Sequence, residues 1–270
     1  MNQEDPGIVV AVGDDGVQTI TIDRPDVGNS LSPNARDVLT EAFRHAHENR
    51  AVRAVLLSAS GDRHFCAGAG LAPHAPGASP PQRGPGDIAR MLQDGWQRLV
   101  SSVLDCDKPV VAAVKGAAVG AGSSLVLACD LVVMSTEARL VQAFVHRGIL
   151  PDSGAVHLLT RIVGLRKATE LLMLGEPVDA LTCERLGIAN RVAPLGETDS
   201  VAAALAARLA AGPTVMLSLT KRLLTVSSES GRDRAFEQEA WAAEVVSHTS
   251  DLKEGLQSFA ERREPRFQGR

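Results

Sequence analysis

The 270-residue chain has no tyrosine, and aromatic residues make up only 3% of it. Proteins that hold single-stranded nucleic acid stack its bases on aromatic rings, so that class is excluded. Positive charge is not in excess: 28 Lys and Arg stand against 32 Asp and Glu, a formal net charge of -4. A nucleic-acid surface is built on net positive charge, so no nucleic-acid partner is expected. Cysteine is scarce, and Cys66, Cys106, Cys129 and Cys183 show no paired spacing. With no C-x-x-C and no H-E-x-x-H, neither a metal site nor a disulfide framework is expected. Long apolar runs are missing too. The longest, residues 116–129, is too short and too rich in Gly and Ser to span a bilayer, so no membrane partner is expected. The acidic start of the chain lacks the apolar core of a signal peptide. These absences together describe a soluble, reduced, cytoplasmic protein.

What is present suits a packed enzyme-sized unit. The chain is 44% hydrophobic and 22% charged, enough to bury a full core. Residues 8–12 and 17–22 read as strands around the turn Gly13-Asp14-Asp15-Gly16, a hairpin pattern. Ser32 and Pro33 mark a helix start, with Ser32 as the N-cap, and that helix runs to about Asn49. A strand follows at 53–58. Residues 73–86 are rich in Pro and Gly and lack periodicity, as a loop does. Residues 87–104 have helical spacing, 109–114 reads as a buried strand, 123–129 as a short apolar helix, and 131–134 as another strand. Strands alternating with helices indicate an α/β sheet with crossovers. From Asp152 the pattern is almost wholly helical, with candidates at 152–163, 167–174, 180–186, 198–211, 213–228, 232–247 and 252–262. The division this implies is a core over residues 1–197 and a helical C-terminal region over 198–270.

Two small-residue loops stand out. One runs His64-Phe65-Cys66-Ala67-Gly68-Ala69-Gly70-Leu71, the other Lys115-Gly116-Ala117-Ala118-Val119-Gly120-Ala121-Gly122. Each follows an apolar, β-branched-rich run. Such loops let a ligand approach the main chain and leave N–H groups free to point at it. Two of them can aim two donors at one oxygen, the layout of an oxyanion hole. Tight, well-packed turns are the plainer reading of the same residues.

Taken in order, further motifs join these loops. They are Asp23-Arg24-Pro25 with Asn29-Ser30-Leu31, Pro109-Val110-Val111-Ala112-Ala113-Val114, Ala128-Cys129-Asp130, Gly148-Ile149-Leu150-Pro151, and the tail Glu254-Gly255-Leu256-Gln257-Ser258-Phe259. With them the chain resembles the crotonase superfamily of enoyl-CoA hydratases and isomerases over nearly its whole length. The resemblance implies an α/β fold, a spiral of ββα turns with a C-terminal helical trimerisation region. It also implies an acyl-CoA thioester as substrate and a homotrimer or hexamer as the assembly. No separate cofactor is implied, since coenzyme A is part of the substrate. By position, the oxyanion donors would be the backbone N–H groups of Ala69 and Ala121. Arg24 and Arg262 would meet the CoA phosphates, as cations pair with phosphate, or else be ordinary surface arginines. Ala67 and Leu71 would contact CoA through main chain, and Phe144 would line the substrate site. The 73–86 loop and the 87–104 helix would line the acyl pocket.

The resemblance also exposes departures. Family hydratases use two glutamates, and the matching positions here are Ser124 and Phe144. Hydration needs one group to activate water and one to protonate carbon, which a Ser and a Phe do not supply. Gly70 and Ala72 likewise replace an Asp and a Lys common in the family. One carboxylate remains nearby, Asp152 in Leu150-Pro151-Asp152-Ser153-Gly154. That stretch resembles the subgroup of the phenylacetate-pathway ring-epoxide isomerase and the Δ3,Δ2-enoyl-CoA isomerases, in which this Asp is the acid/base. It also matches the nucleophilic Asp of a related dehalogenase, although Phe144 stands where that enzyme has Trp. Asp152 precedes an apolar helical run, so a helix cap is its plain reading. His146 and His157 flank the region as weaker candidates. An isomerase is therefore expected. A hydratase with a different acid/base set and a non-catalytic acyl-CoA binder are the alternatives.

Overall fold

The structure, a computed structural model, describes residues 5–70 and 83–270. Chain order begins with the expected hairpin, β1 (Ile8–Val12) and β2 (Val17–Ile22), paired antiparallel from Ile8 opposite Ile22 to Val12 opposite Gln18. Helix α1 (Pro33–Glu48) follows, and the Ser32 hydroxyl accepts the Ala35 N–H at 3.2 Å, the capping bond its sequence implies. Next come β3 (Ala54–Ala59), β4 (His64–Cys66), α2 (Asp87–Leu92) and α3 (Arg98–Leu104). The two helices are joined by a π-helical turn over Gln93–Gln97, so the 87–104 segment is helical with one widened turn.

The remaining elements repeat a pattern. β5 (Val110–Val114) leads into β6 (Ala117–Val119) and α4 (Ala121–Leu127), and β7 (Leu131–Ser135) leads into β8 (Arg139–Val141) and α5 (Ala155–Leu174). Then come β9 (Val178–Asp179), α6 (Ala180–Arg185) and β10 (Arg191–Ala193). Each ββα turn gives one strand to each of two sheets. The six-stranded sheet has the order β1-β2-β3-β5-β7-β10, and the four-stranded sheet β4-β6-β8-β9. All neighbours are parallel except β1 with β2 and β8 with β9. This is the expected spiral.

The larger sheet is covered on both faces, which explains its continuous apolar strands. In β5, Val110, Ala112 and Val114 enter the main core with Phe43, Leu57, Leu99 and Met134. Val111 and Ala113 point the other way, into a second core with Ala202, Leu205, Ala206 and Ala210 of α7 (Thr198–Ala210). Successive turns of the spiral touch at their corners. A Cβ on Gly116 would lie 2.3 Å from the Arg63 carbonyl carbon, so only glycine fits there. The Ser135 hydroxyl donates to the Lys115 carbonyl at 2.5 Å, tying the next corner to it.

Three further helices, α8 (Thr214–Glu229), α9 (Arg232–Ser247) and α10 (Ser250–Glu261), lie close to their expected bounds. Lys221 of α8 reaches into the core, 2.8 Å from the Asp130 carboxylate and 3.0 Å from the Val103 carbonyl. Arg53, just before β3, donates to the Thr214 hydroxyl and to the Gly212 and Phe267 carbonyls, and so holds the chain's end.

Candidate active site

The four-stranded sheet brings the two small-residue loops together. Each was read as a loop, but each contains a strand, β4 in the first and β6 in the second, and these pair in parallel with Cys66 beside Ala118. Past the strands the backbones nearly touch. A Cβ on Gly68 (φ +86°) would sit 2.8 Å from the Val119 oxygen and 3.4 Å from the Ala121 nitrogen. A Cβ on Gly122 would sit 2.2 Å from the Cys66 oxygen. Glycine at both positions is a condition of this approach.

The direction of the two donors follows from peptide geometry. In a trans peptide the C=O and N–H point opposite ways. The Gly68 carbonyl accepts the Leu31 N–H at 2.9 Å, and the Gly70 N–H donates to the Leu31 oxygen at 3.4 Å. The Ala69 N–H therefore faces away from Leu31. The Gly120 carbonyl accepts the Ser123 N–H at 2.9 Å, inside the first turn of α4, so the Ala121 N–H points out of that turn. Among the described residues neither N–H has an acceptor. Asn29 secures the first loop from behind. It is buried at φ +55°, accepts the Arg24 N–H at 2.8 Å, and donates to the Ser60 and His64 carbonyls at 2.9 and 2.7 Å.

Ser124 and Phe144 are both buried and carry no charge. The Ser124 hydroxyl has no hydrogen-bond partner among the described residues. The Phe144 ring tip lies 4.0 Å from where a Gly120 Cβ would be, so Phe144 borders the second loop. Its carbonyl accepts the Ile149 N–H at 3.1 Å, and Asp152 follows three residues later.

Asp152 does not cap α5. The cap is Gly154, whose carbonyl accepts the Leu158 N–H, and α5 begins at Ala155, three residues later than expected. The segments 152–163 and 167–174 read as separate helices, and they join in α5 across a break at Gly164. The Asp152 carboxylate instead accepts the Ser153 hydroxyl at 2.8 Å. Burial raises the Asp152 pKa above the ordinary carboxylate value, with the Ser153 bond pulling the other way. Ser153 is itself fully buried in the left-handed region, at φ +54°. The next residue, Gly154, packs against α3, where its Cβ would lie 3.5 Å from Val100.

The flanking histidines have other partners. His146 Nε2 lies 3.0 Å from the Gly175 carbonyl, and His157 Nε2 lies 3.7 Å from Glu229. Burial pushes the Cys66 thiol up to about 12, so at neutral pH it is an uncharged packing group.

The expected CoA contacts are only partly gathered. Ala67 sits beside Gly28, whose carbonyl accepts its N–H at 3.0 Å. Arg24 donates to the Ser32 hydroxyl at 3.2 Å through its side chain and to Asn29 Oδ1 at 2.8 Å through its main-chain N–H. Leu71 and most of the 73–86 segment lie outside the described residues. Arg262 is exposed at the end of α10. Two groups escaped the sequence reading. Asn29 stands within the Asn29-Ser30-Leu31 motif, and Ser153 beside Asp152. A polar residue before a glycine, at a break between extended chain and helix, is the signal that marks Ser153.

A family model described as Enoyl-CoA hydratase/isomerase matches residues 13–270. A Rhodobacter capsulatus protein named "Probable enoyl-CoA hydratase" is 32% identical over 256 residues, covering 95% of this chain and 96% of its own. The 1,2-epoxyphenylacetyl-CoA isomerase of Escherichia coli K12 is 31% identical over 255 residues, covering 94% and 96%. The crystal structure of an enoyl-CoA hydratase from Bacillus anthracis superposes with a TM-score of 0.90 at 28% identity, covering 98% of this chain and all of the other.

Proposed function

The chain belongs to the enoyl-CoA hydratase/isomerase family, and within it we propose an enoyl-CoA isomerase that works with one carboxylate. The observation that carries this reading is the state of the three candidate acid/base positions. Ser124 and Phe144 cannot ionise, whereas Asp152 is partly buried, uninvolved in capping, and poised with a raised pKa. A hydratase divides its work between an acid and a base; a double-bond shift moves one proton out and back, and one group suffices.

In the proposed reaction the acyl-CoA thioester oxygen lies between the Ala69 and Ala121 N–H groups. The Asp152 carboxylate takes a proton from C2 of a 3-enoyl-CoA. The C–H electron pair moves into the thioester, and the two N–H groups stabilise the enolate oxygen. The protonated Asp152 then returns the proton to C4, the double bond settles between C2 and C3, and the carboxylate is restored. No cofactor enters this cycle. Arg24 meets the phosphate end of CoA, and Phe144 closes the acyl side. The helical region leaves Leu224, Phe236, Trp241, Leu256 and Phe259 exposed, apolar surface that a homotrimer or hexamer would cover. No single helix among the described residues is long and apolar enough to cross a membrane.

Replacing Asp152 with Asn is expected to lower turnover of a 3-enoyl-CoA about 10³-fold, with acyl-CoA affinity held within a few-fold. Unchanged turnover would remove Asp152 from the mechanism. The second reading, a hydratase with another acid/base set, draws support from the hydratase name of the R. capsulatus relative. Incubation with crotonyl-CoA separates the two, because a hydratase yields 3-hydroxyacyl-CoA and the proposed isomerase does not.

A further inference from the structure

We propose that Ser123 and Gln142 form a side-chain relay that strengthens and aims the Ala121 donor. The inference rests on the reading that a thioester oxygen binds at Ala69 and Ala121. The Ala121 N–H and the Gly120 carbonyl are two ends of one peptide group. That carbonyl oxygen accepts three donors: Ser123 N–H at 2.9 Å, Ser124 N–H at 3.3 Å, and the Ser123 hydroxyl at 2.6 Å. The two main-chain donors come with any helical turn. The hydroxyl is an addition that one substitution removes.

Its direction is set by Gln142, whose Nε2 donates to Ser123 Oγ at 2.9 Å. An amide NH2 can only donate, so the single Ser123 hydroxyl proton is left for the Gly120 oxygen. Both side chains are buried, Ser123 at 0% exposure and Gln142 at 1%. Gln142 follows directly on β8, and the β8 residue Val141 accepts the Gly120 N–H at 2.9 Å. Gly120 is therefore held at both polar groups from adjacent residues, by the main chain of Val141 at one end and by the relay from Gln142 at the other. The far end of Gln142 gains nothing visible: its Oε1 is buried without a partner among the described residues. An apolar residue of that size would avoid this cost, so the contact that justifies an amide here is the one to Ser123.

Hydrogen bonds to a peptide carbonyl polarise the group and make its N–H a stronger donor, by roughly 10–30% per bond. The gain grows as charge develops on the substrate oxygen, so it acts on kcat more than on KM. The Ala69 peptide differs, since among the described residues its carbonyl, Gly68 O, takes only the Leu31 N–H. Ser123 and Gln142 are thus positioning residues for one half of the oxyanion site.

The test uses 4-(dimethylamino)cinnamoyl-CoA, whose absorption band moves to the red when its thioester carbonyl is polarised, alongside turnover of a 3-enoyl-CoA. Ser123→Ala should bind the probe within about twofold, lose part of the red shift, and lower kcat about three- to tenfold with KM within about twofold. Gln142→Met should move both readouts the same way by less, and Ser123→Thr, which keeps the hydroxyl, should restore them. A red-shifted native enzyme whose Ser123→Ala variant keeps the full shift and kcat overturns the relay alone. A native enzyme that binds the probe with no red shift overturns the oxyanion placement and the relay with it. If Ser123→Ala does not fold, Gln142→Met decides on the same two readouts, and native values there overturn the relay.

Discussion

Val110–Val114, in the six-stranded sheet, is buried along its whole length, and its alternate side chains fill two separate cores. Ala117–Val119, which follows two residues later in the four-stranded sheet, is a three-residue strand left partly open. Side-chain packing holds the first. The second is held by main chain lying directly on main chain, at Gly68, Gly116 and Gly122, where no Cβ fits. The difference separates two duties. The sheet closed by side chains carries stability. In the sheet closed by backbone, the Ala69 and Ala121 N–H groups are left without an acceptor among the described residues.

Gly122→Ala should break this comparison most sharply. Its new Cβ would fall 2.2 Å from the Cys66 carbonyl oxygen, a backbone atom that cannot swing aside. Turnover should fall about 100-fold or more, with ~1–3 kcal/mol of stability lost to overpacking, read by steady-state kinetics and urea titration. Near-native turnover would mean that backbone contact does not hold the donors. Leu57→Ala, in the larger sheet, should do the reverse. It empties a fully buried position and should cost ~2–5 kcal/mol in a urea titration, while kcat per folded molecule stays within about twofold.

Two smaller effects probe the Asp152 turn. Its pKa is raised in the folded protein, so the native state binds its proton more tightly than the unfolded chain does. Stability from this group is therefore present in full below the ordinary aspartate value and is lost as pH rises through the raised one. Asp152→Asn should melt at a higher temperature than the native protein at pH 7. The two should converge in acid below the carboxylate range, and equal melting at both pH values would contradict the raised pKa. Ser153→Gly removes the hydrogen bond that lowers the Asp152 pKa and suits the φ of +54°. The acidic limb of its kcat/KM profile should move to higher pH while its melting temperature holds.

The sequence made the larger sheet legible except for its last strand, β10, which falls where the pattern reads as helical, and left the smaller one hidden. Strands β2, β5 and β7 announce themselves through runs of β-branched and apolar residues, and α1 through Ser32 and Pro33. Strands of two or three residues, such as β4, β8 and β9, are too short for any periodicity to register. The loops were visible as small-residue runs, but their parallel pairing depends on contacts about fifty residues apart. Asp152 was legible as a residue and ambiguous as a group. Its raised pKa follows from burial, and its freedom from capping from Ser153 and Gly154 taking left-handed conformations, neither of which a spacing rule reveals.

The two donors are main-chain atoms, and that has a consequence for how such a protein can change over generations. Replacing the side chain of Ala69 or Ala121 by that of any residue except proline leaves the amide hydrogen in place, so most single codon changes there do not delete it. Asp152, by contrast, loses its carboxylate in one nucleotide step to Asn. Under the proposed mechanism, carbonyl polarisation would therefore be inherited robustly and the choice of proton carrier loosely, and a lineage built on this frame would exchange reactions sooner than it surrendered its grip on the thioester.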